Sequence, residues 1–283
     1  MAGTVHVRRL ARGDIPWAIG LTDTESWGYT AADFERLLYL EPEGVLLAEA
    51  GGEPVGITAT TTYGKLAYLG AVIVDPRWRG KHVGEAQMRA CLDFLGDRGV
   101  LSVRLNAYRN VIPFYERLGF RSEFENHRYT GRHEGRVAPG VRPMRADDLA
   151  AVGELDEPLF GADRTRLLRR LLEEFPRTSL VVDDDGDIVA FAFGNTSAET
   201  CEIGPFVASP KRAVDAENLL LAMFATVDGP CAFSLPAVNE TGIAAARRIG
   251  LQEAFRTMRM VRGSPDFGGD PRGVFGLAGL EKG

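Results

Sequence analysis

The chain has 283 residues, 45% apolar and 25% charged, which fits a folded globular protein of one large or two ordinary domains. A formal charge of −6 argues against nucleic acid as a main partner, because binding a phosphate backbone needs clustered Lys and Arg. Three scattered cysteines (Cys91, Cys201, Cys231) and four histidines (His6, His82, His127, His133) show no metal-ligand spacing, and no apolar run reaches the roughly 18 residues that span a bilayer.

In chain order, 15–21 and 31–40 are predicted as helices. Apolar runs at 45–50 and 54–62 flank Gly51-Gly52 and predict a β-hairpin. The nearly continuous apolar run 67–74 predicts a strand buried on both faces. Over 84–96, Met88, Cys91, Leu92 and Leu95 fall on one helical stripe. A strand at 101–107, a short helix at 113–118 ended by Gly119, and a strand at 120–129 follow. The polar stretch 132–140, with its glycines and proline, reads as a linker.

The chain then repeats itself. Val7-Arg8 with Asp14-Ile15 recurs 134 residues later as Val141-Arg142 with Asp148-Leu149. At the same shift, Leu46-Leu47 and Gly52-Glu53-Pro54-Val55 meet Leu180-Val181 and Gly186-Asp187-Ile188-Val189, and Gly70 and Pro76 meet Gly204 and Pro210. Near each copy's end the shift becomes 131: Arg117-Leu118-Gly119-Phe120 meets Arg248-Ile249-Gly250-Leu251. Agreement in order and spacing predicts a duplicated α/β unit, with copies over 1–135 and 136–283.

The stretch with most chemistry in it is Val72-Ile73-Val74-Asp75-Pro76-Arg77-Trp78-Arg79-Gly80-Lys81-His82-Val83-Gly84. A buried strand runs into a basic, glycine-bearing turn that opens a helix. Such a turn aims backbone N–H groups at one spot, with the positive end of the helix behind them, and makes a pyrophosphate cradle. It is neither a Walker loop nor a dinucleotide fingerprint, since both glycine patterns are absent. Downstream, Leu105-Asn106-Ala107 ends a strand, followed by Asn110-Val111-Ile112-Pro113-Phe114-Tyr115-Glu116-Arg117-Leu118-Gly119-Phe120.

Together these two stretches resemble the GNAT acetyltransferase superfamily. The 79–84 turn looks like its acyl-CoA signature, Gln/Arg-x-x-Gly-x-Gly/Ala, and Phe114-Tyr115-Glu116-x-x-Gly119-Phe120 looks like its later motif. Trp27-Gly28-Tyr29-Thr30, Leu40-Glu41-Pro42-Glu43-Gly44, Phe160-Gly161-Ala162-Asp163-Arg164, Val261-Arg262-Gly263 and the stretch 275–283 are similar to a subgroup in which a catalytic GNAT domain precedes a second, GNAT-like one. The resemblance implies an α/β (α+β) fold of two tandem GNAT units, each a mixed, mostly antiparallel sheet flanked by helices. It departs at His82, where the family usually has glycine.

The resemblance also implies direct attack of an amine on the thioester of acetyl-CoA. Val72, Ile73 and Val74 would offer backbone N–H to the thioester carbonyl, and Arg79, Gly80, Lys81, His82, Val83 and Gly84, with Asn106 and Asn110, would hold the nucleotide arm. Tyr115 would donate to the departing thiolate, through a strong hydrogen bond or activated by local positive charge. An alkylammonium must first lose a proton, yet 66–74 contains no acid. Asp23 and Glu25 acting through water, or no dedicated base for a weakly basic amine, are the alternatives. Trp27 and Tyr29 are either acceptor-site walls or core.

Carried across the duplication, the 79–84 turn becomes Ala213-Val214-Asp215-Ala216-Glu217-Asn218, and Tyr115 becomes Ala246. Two acids would face a diphosphate there, so only the first copy is expected to be catalytic, the second being structural or substrate-shaping. Asp183-Asp184-Asp185-Gly186-Asp187 reads as a hairpin tip. The expected partner is a small-molecule amine, with no metal, nucleic acid or membrane. Widely spaced cysteines and the lack of a signal-peptide core predict a cytoplasmic protein. The rival reading is a sensor or scaffold that binds acyl-CoA without transferring the acyl group.

Overall fold

The computed structural model describes residues 4–283. The first copy runs β1 (Val5–Arg9), α1 (Ile15–Asp23), α2 (Ala31–Leu40), β2 (Val45–Ala50), β3 (Glu53–Tyr63), β4 (Leu66–Val74), α3 (Val83–Asp97), β5 (Ser102–Ala107), α4 (Ile112–Arg117) and β6 (Arg121–Gly131). The second runs β7 (Val141–Pro143), α5 (Leu149–Phe160), α6 (Thr165–Glu174), β8 (Ser179–Asp184), β9 (Asp187–Asn195), β10 (Cys201–Ala208), α7 (Ala213–Thr226), β11 (Cys231–Pro236), α8 (Glu240–Arg248) and β12 (Gln252–Gly263), with a short extra strand, β13 (Val274–Gly276). Every predicted element of the first copy is present, with ends shifted by a residue or two.

Local chemistry accounts for the punctuation. Gly51 and Gly52 both take positive φ, which the tight β2–β3 hairpin requires and side chains resist. Thr30 caps α2, its hydroxyl accepting from Asp33 N while the Asp33 carboxylate accepts from Thr30 N. Alternation along β2 sends Leu47 to a core with α1 and α2 on one face, and Leu46 to a core with α3 and α4 on the other. In the second copy, α5 and α6 cover one face while α7 and α8 cover the other.

The duplication is visible atom by atom. Arg8 clasps Asp14 (2.6 Å) and Glu49 (2.7 Å); Arg142 clasps Asp148 (2.7 Å) and Asp183 (2.9 Å), the same three positions one copy later. The equivalent helices α2 and α6 meet across the copies, where fully buried Arg36 pairs with Asp33 (2.8 Å) and with Glu174 (2.5 Å).

Among the described residues the strands form one sheet, in the order β1-β2-β3-β4-β5-β12-β6-β11-β10-β9-β8-β7, with β13 on β10. The two copies therefore exchange their last long strands. Strand β12 of the second copy pairs with β5 of the first, β6 of the first pairs with β11 of the second, and β6 and β12 pair with each other. The boundary that falls near 132–140 along the chain is thus not a boundary in space. Buried Arg104 on β5 ties the exchange, reaching Glu123 of β6 (3.2 Å), which also receives Arg259 of β12 (2.7 Å). Among the described residues no helix is long and apolar enough to cross a membrane, and no group of three or more His, Cys, Asp or Glu is placed to hold a metal ion.

Candidate active site

Strands β4 and β5 run parallel and pair from Leu66–Ser102 to Leu69–Leu105, and no further. Beyond Leu69, β4 stays bonded to β3, but its edge toward β5 has no strand partner. Its register also slips: between the Ala59–Gly70 and Ile57–Ile73 pairs, three steps of β4 face two of β3. The bulge includes Ala71 at φ +49°. A non-glycine residue held there costs about 1 kcal/mol, and strain of this kind concentrates at functional sites. Val72, Ile73 and Val74 follow on the unpartnered stretch.

The turn after β4 is built from short-range bonds. Asp75 accepts from Arg77 N at 2.9 Å, closing the Pro76–Trp78 turn. Arg79 Nε donates to Val74 O (3.1 Å), and its other end pairs with Glu25 (2.5 Å). Lys81 Nζ stands 4.6 Å from the Trp78 ring centroid. Gly80 (φ +74°) and His82 (φ +63°) both take left-handed backbone, and α3 begins at Val83. His82 thus occupies a conformation that explains the family's glycine, while its exposed ring turns to Glu85 at 3.1 Å. Ala86 N is the first to bond back, to His82 O, which leaves the amides of Val83, Gly84 and Glu85 at the open end of the helix. A Cβ on Gly84 would lie 3.5 Å from the Phe114 ring, an ordinary contact.

Tyr115, on α4, lies edge-on to Phe114 (5.1 Å) and Phe120 (5.9 Å) in the core that holds Met88 and Cys91. Burial pushes its hydroxyl well above the usual phenol range, and Cys91 adds to the shift. Activation by local positive charge is therefore not what the structure provides; Tyr115 stays protonated at neutral pH and is a hydrogen-bond donor.

The remaining predicted residues separate. Asn110 is exposed in the Arg109–Val111 turn, and Asp23 is exposed at the end of α1. Glu25 serves the 79–84 turn through Arg79. Trp27 and Tyr29 stand 6.3 Å apart; Trp27 lies beside Tyr108, and Tyr29 lies beside Glu281, with burial first and Glu281 next pushing its hydroxyl above the usual phenol range. Asn106 reaches the other copy through its Nδ2, which donates to Leu280 O (2.7 Å), while its Oδ1 accepts from Asn126 of β6 (2.6 Å).

Several residues at this end of the split were not singled out from the sequence. Tyr108 packs on Phe255 of β12 (5.6 Å), and Arg128 of β6 forms a two-pronged pair with Glu202 of β10 (2.8 and 2.6 Å). Glu281 and Lys282 are buried beside one another. Burial alone would raise the Asp33 carboxyl, but Lys282, Thr30 and Arg36 outweigh it and hold it below the usual carboxylate range. Tyr108 and Phe255, Arg128 and Glu202, and Asp33 and Lys282 are each more than 70 residues apart, so no local pattern reveals these contacts.

The second copy's equivalent split is closed. β10 and β11 pair only at Cys201–Cys231 and Glu202–Ala232. Beyond that, β13 lies on β10, and Leu277 N donates to Ser234 O of β11 (2.8 Å). Pro205, which has no N–H to offer, stands at the position equivalent to Ala71. Of the acids near the lost cradle, Asp215 and Asp184 pair with Arg212, while Asp183 caps Gly186 N (2.8 Å). The Asp183–Asp187 tip is thus an ion-paired turn.

Comparison with known proteins agrees with this geometry copy by copy. Residues 16–120 match the acetyltransferase (GNAT) family model, and 152–276 match an acetyltransferase (GNAT) domain model. A holothin acyltransferase of Pseudoalteromonas sp. (strain SANK 73390) is 28% identical over 271 residues, covering 94% of this chain and 89% of that one. A solved structure from Pyrococcus horikoshii, provisionally named an acetyltransferase, superposes with a TM-score of 0.85 at 25% identity, covering 99% of this chain and 96% of that one. A tandem GNAT protein from the clavulanic acid biosynthesis pathway shares the fold, with a TM-score of 0.64 at 15% identity over 92% of this chain and 98% of that one. With a GNAT unit recognised in each half and both halves in one sheet, the chain belongs to the GNAT superfamily as a tandem GNAT acyltransferase.

Proposed function

We propose that the first copy takes acetyl-CoA as co-substrate and passes its acetyl group to the amine of a small molecule. The observation that carries this reading is the split beyond Leu69, continuous with a basic turn and the free amides of α3. An unpartnered strand edge suits an amide-bearing arm, and the turn suits a diphosphate, so the residues present fit the CoA group. Arg79, Gly80, Lys81, His82, Val83 and Gly84 would hold it, and the co-substrate supplies an activated acyl group. The backbone of 72–74 polarises the acyl carbonyl, and Tyr115 donates a hydrogen bond to the leaving sulfur.

Support for a small acceptor comes from the walls. Trp27 packs near Tyr29, and Tyr108, just past the end of β5, packs on Phe255 of β12, so aromatic groups of both copies stand near this end of the split, and one relative is named for acylating holothin. Isothermal titration of acetyl-CoA is the test. Wild type should bind about one equivalent per chain, and Gly84→Glu, which adds a negative charge and bulk between Phe114 and Val74 at the open end of α3, should abolish it. Tyr115→Phe should keep the binding and lower kcat by about 100-fold. Two equivalents per chain would contradict the closed second split, and none would sink the reading.

A further inference from the structure

The first copy lacks an acid on β4, and the second copy delivers one. After β13, the chain follows β11 and enters the split of the first copy. Asn106 Nδ2 holds Leu280 O, Tyr63 donates its hydroxyl to Lys282 O (2.9 Å), and Arg164 donates to Gly283 O (3.0 Å). Arg164 is itself locked to Asp156 by two bonds (2.7 and 2.8 Å), both residues being buried. Phe160 packs against Tyr63 (5.0 Å) and Tyr68 (5.7 Å) beside it. The 160–164 stretch and the 277–283 stretch, far apart in the chain, are two sides of one anchor.

Glu281 lies where this segment crosses β4. A Cβ placed on Gly70 would stand 2.5 Å from Glu281 Cα, so only glycine lets the segment rest on the strand there. Gly70 is the first β4 residue beyond the last pair with β5, one step before the bulge. Glu281 is only 6% exposed, and the groups facing it are the Tyr29 hydroxyl, Tyr63, Lys282 and, from β6, Arg128 in its pair with Glu202. Asn126, beside Asn106, keeps a buried Oδ1 with no partner among the described residues. Glu281 is thus a buried carboxylate faced by tyrosine hydroxyls and shared with Lys282, and the Asn106–Asn126 pair that holds the preceding residue keeps an unspent amide oxygen; such a set of acceptors suits an alkylammonium.

Resting on the acyltransferase reading above, we infer that Glu281 is the base for the acceptor amine. The ammonium gives one proton to the Glu281 carboxylate, and the freed lone pair forms the nitrogen–carbon bond to the acyl carbonyl. The carbon–sulfur bond breaks, and the second nitrogen proton ends on the departing thiolate. Glu281 returns its proton to solvent. The second copy, closed to CoA itself, thereby completes the first copy's site.

Phenethylamine, an alkylammonium at neutral pH, and aniline, already uncharged there, separate a base from a merely structural residue. Glu281→Gln should lower kcat/KM for phenethylamine about 100-fold, leave aniline within about threefold, and leave the calorimetric affinity for acetyl-CoA unchanged. The phenethylamine loss should shrink as pH rises toward the amine's own pKa, and Glu281→Asp should recover part of the rate. Phenethylamine titrated into the CoA-saturated protein should bind at least tenfold more weakly to Glu281→Gln. If neither amine is accepted, the titration decides, and equal affinity of wild type and Glu281→Gln for phenethylamine overturns the assignment. Should Glu281→Gln unfold because Lys282 is left unpaired, Glu281→Gln with Lys282→Met removes both charges. Equal losses on both amines, an unchanged rate, or a rate that rises because the segment was a plug would each overturn the assignment. A wild type that binds no acetyl-CoA would instead overturn the acyltransferase reading and this inference with it.

Discussion

His82 sits at φ +63°, a region from which a side chain is largely excluded by contact with its own backbone. Histidine tolerates it better than most residues, and the exposed contact with Glu85 adds little against solvent. His82→Gly relieves about 1 kcal/mol of strain and gives back part of it as unfolded-chain entropy. Thermal unfolding should therefore place His82→Gly level with wild type or up to a few degrees above it. His82→Val should fall below, since a β-branched side chain cannot take that backbone cheaply. The same residue shows what the sequence makes visible at this scale. The departure from the family pattern is plain in the sequence, whereas the reason glycine is usual there is a dihedral angle and needs the fold.

The two Arg-centred clasps belong to elements, since each ties a first strand to the loop after it and to the end of a hairpin. Arg8 holds Asp14 below the usual carboxylate range, and Arg142 does the same to Asp148. A carboxyl with a depressed folded pKa contributes stability above its unfolded value of about 3.9, and that contribution is lost as pH falls through the folded value. Arg8→Ala and Arg142→Ala should each cost about 1 kcal/mol near pH 7, as expected for solvent-screened pairs. In denaturant titrations the difference from wild type should shrink below about pH 4. The clasps were legible as recurring Val-Arg and Asp letters 134 residues apart, because duplication preserves spacing. Strands and helices were legible for the same local reason: an apolar run such as 67–74 needs two covered faces, and Gly51-Gly52 needs a tight turn. Strand partners were not. Periodicity in β6 and β12 sets which face is buried, and nothing in it says whether the neighbour is β5 or β11. Glu281 stayed hidden for a related reason, as its importance comes from contact with Gly70 and Tyr29, both far upstream.

Across the whole molecule, the exchange of β6 and β12 makes the copies mutually dependent. Residues 1–135 alone would leave β5 with an open edge where β12 belongs, and 136–283 alone would leave β11 without β6. Expressed separately, the two pieces should show little cooperative unfolding by circular dichroism. Mixed, they should recover a single transition near that of the intact chain. Two independent transitions from separate pieces would show that each copy folds on its own. The exchange also sets a schedule for a ribosome. Strand β5 leaves the exit tunnel long before β12 has been made, and at ordinary elongation rates the interval is on the order of ten seconds. Through that interval the nascent chain carries an unfilled sheet edge beside its basic 79–84 turn, a hazard that chaperone capture would relieve and that a slower codon stretch between the copies would prolong.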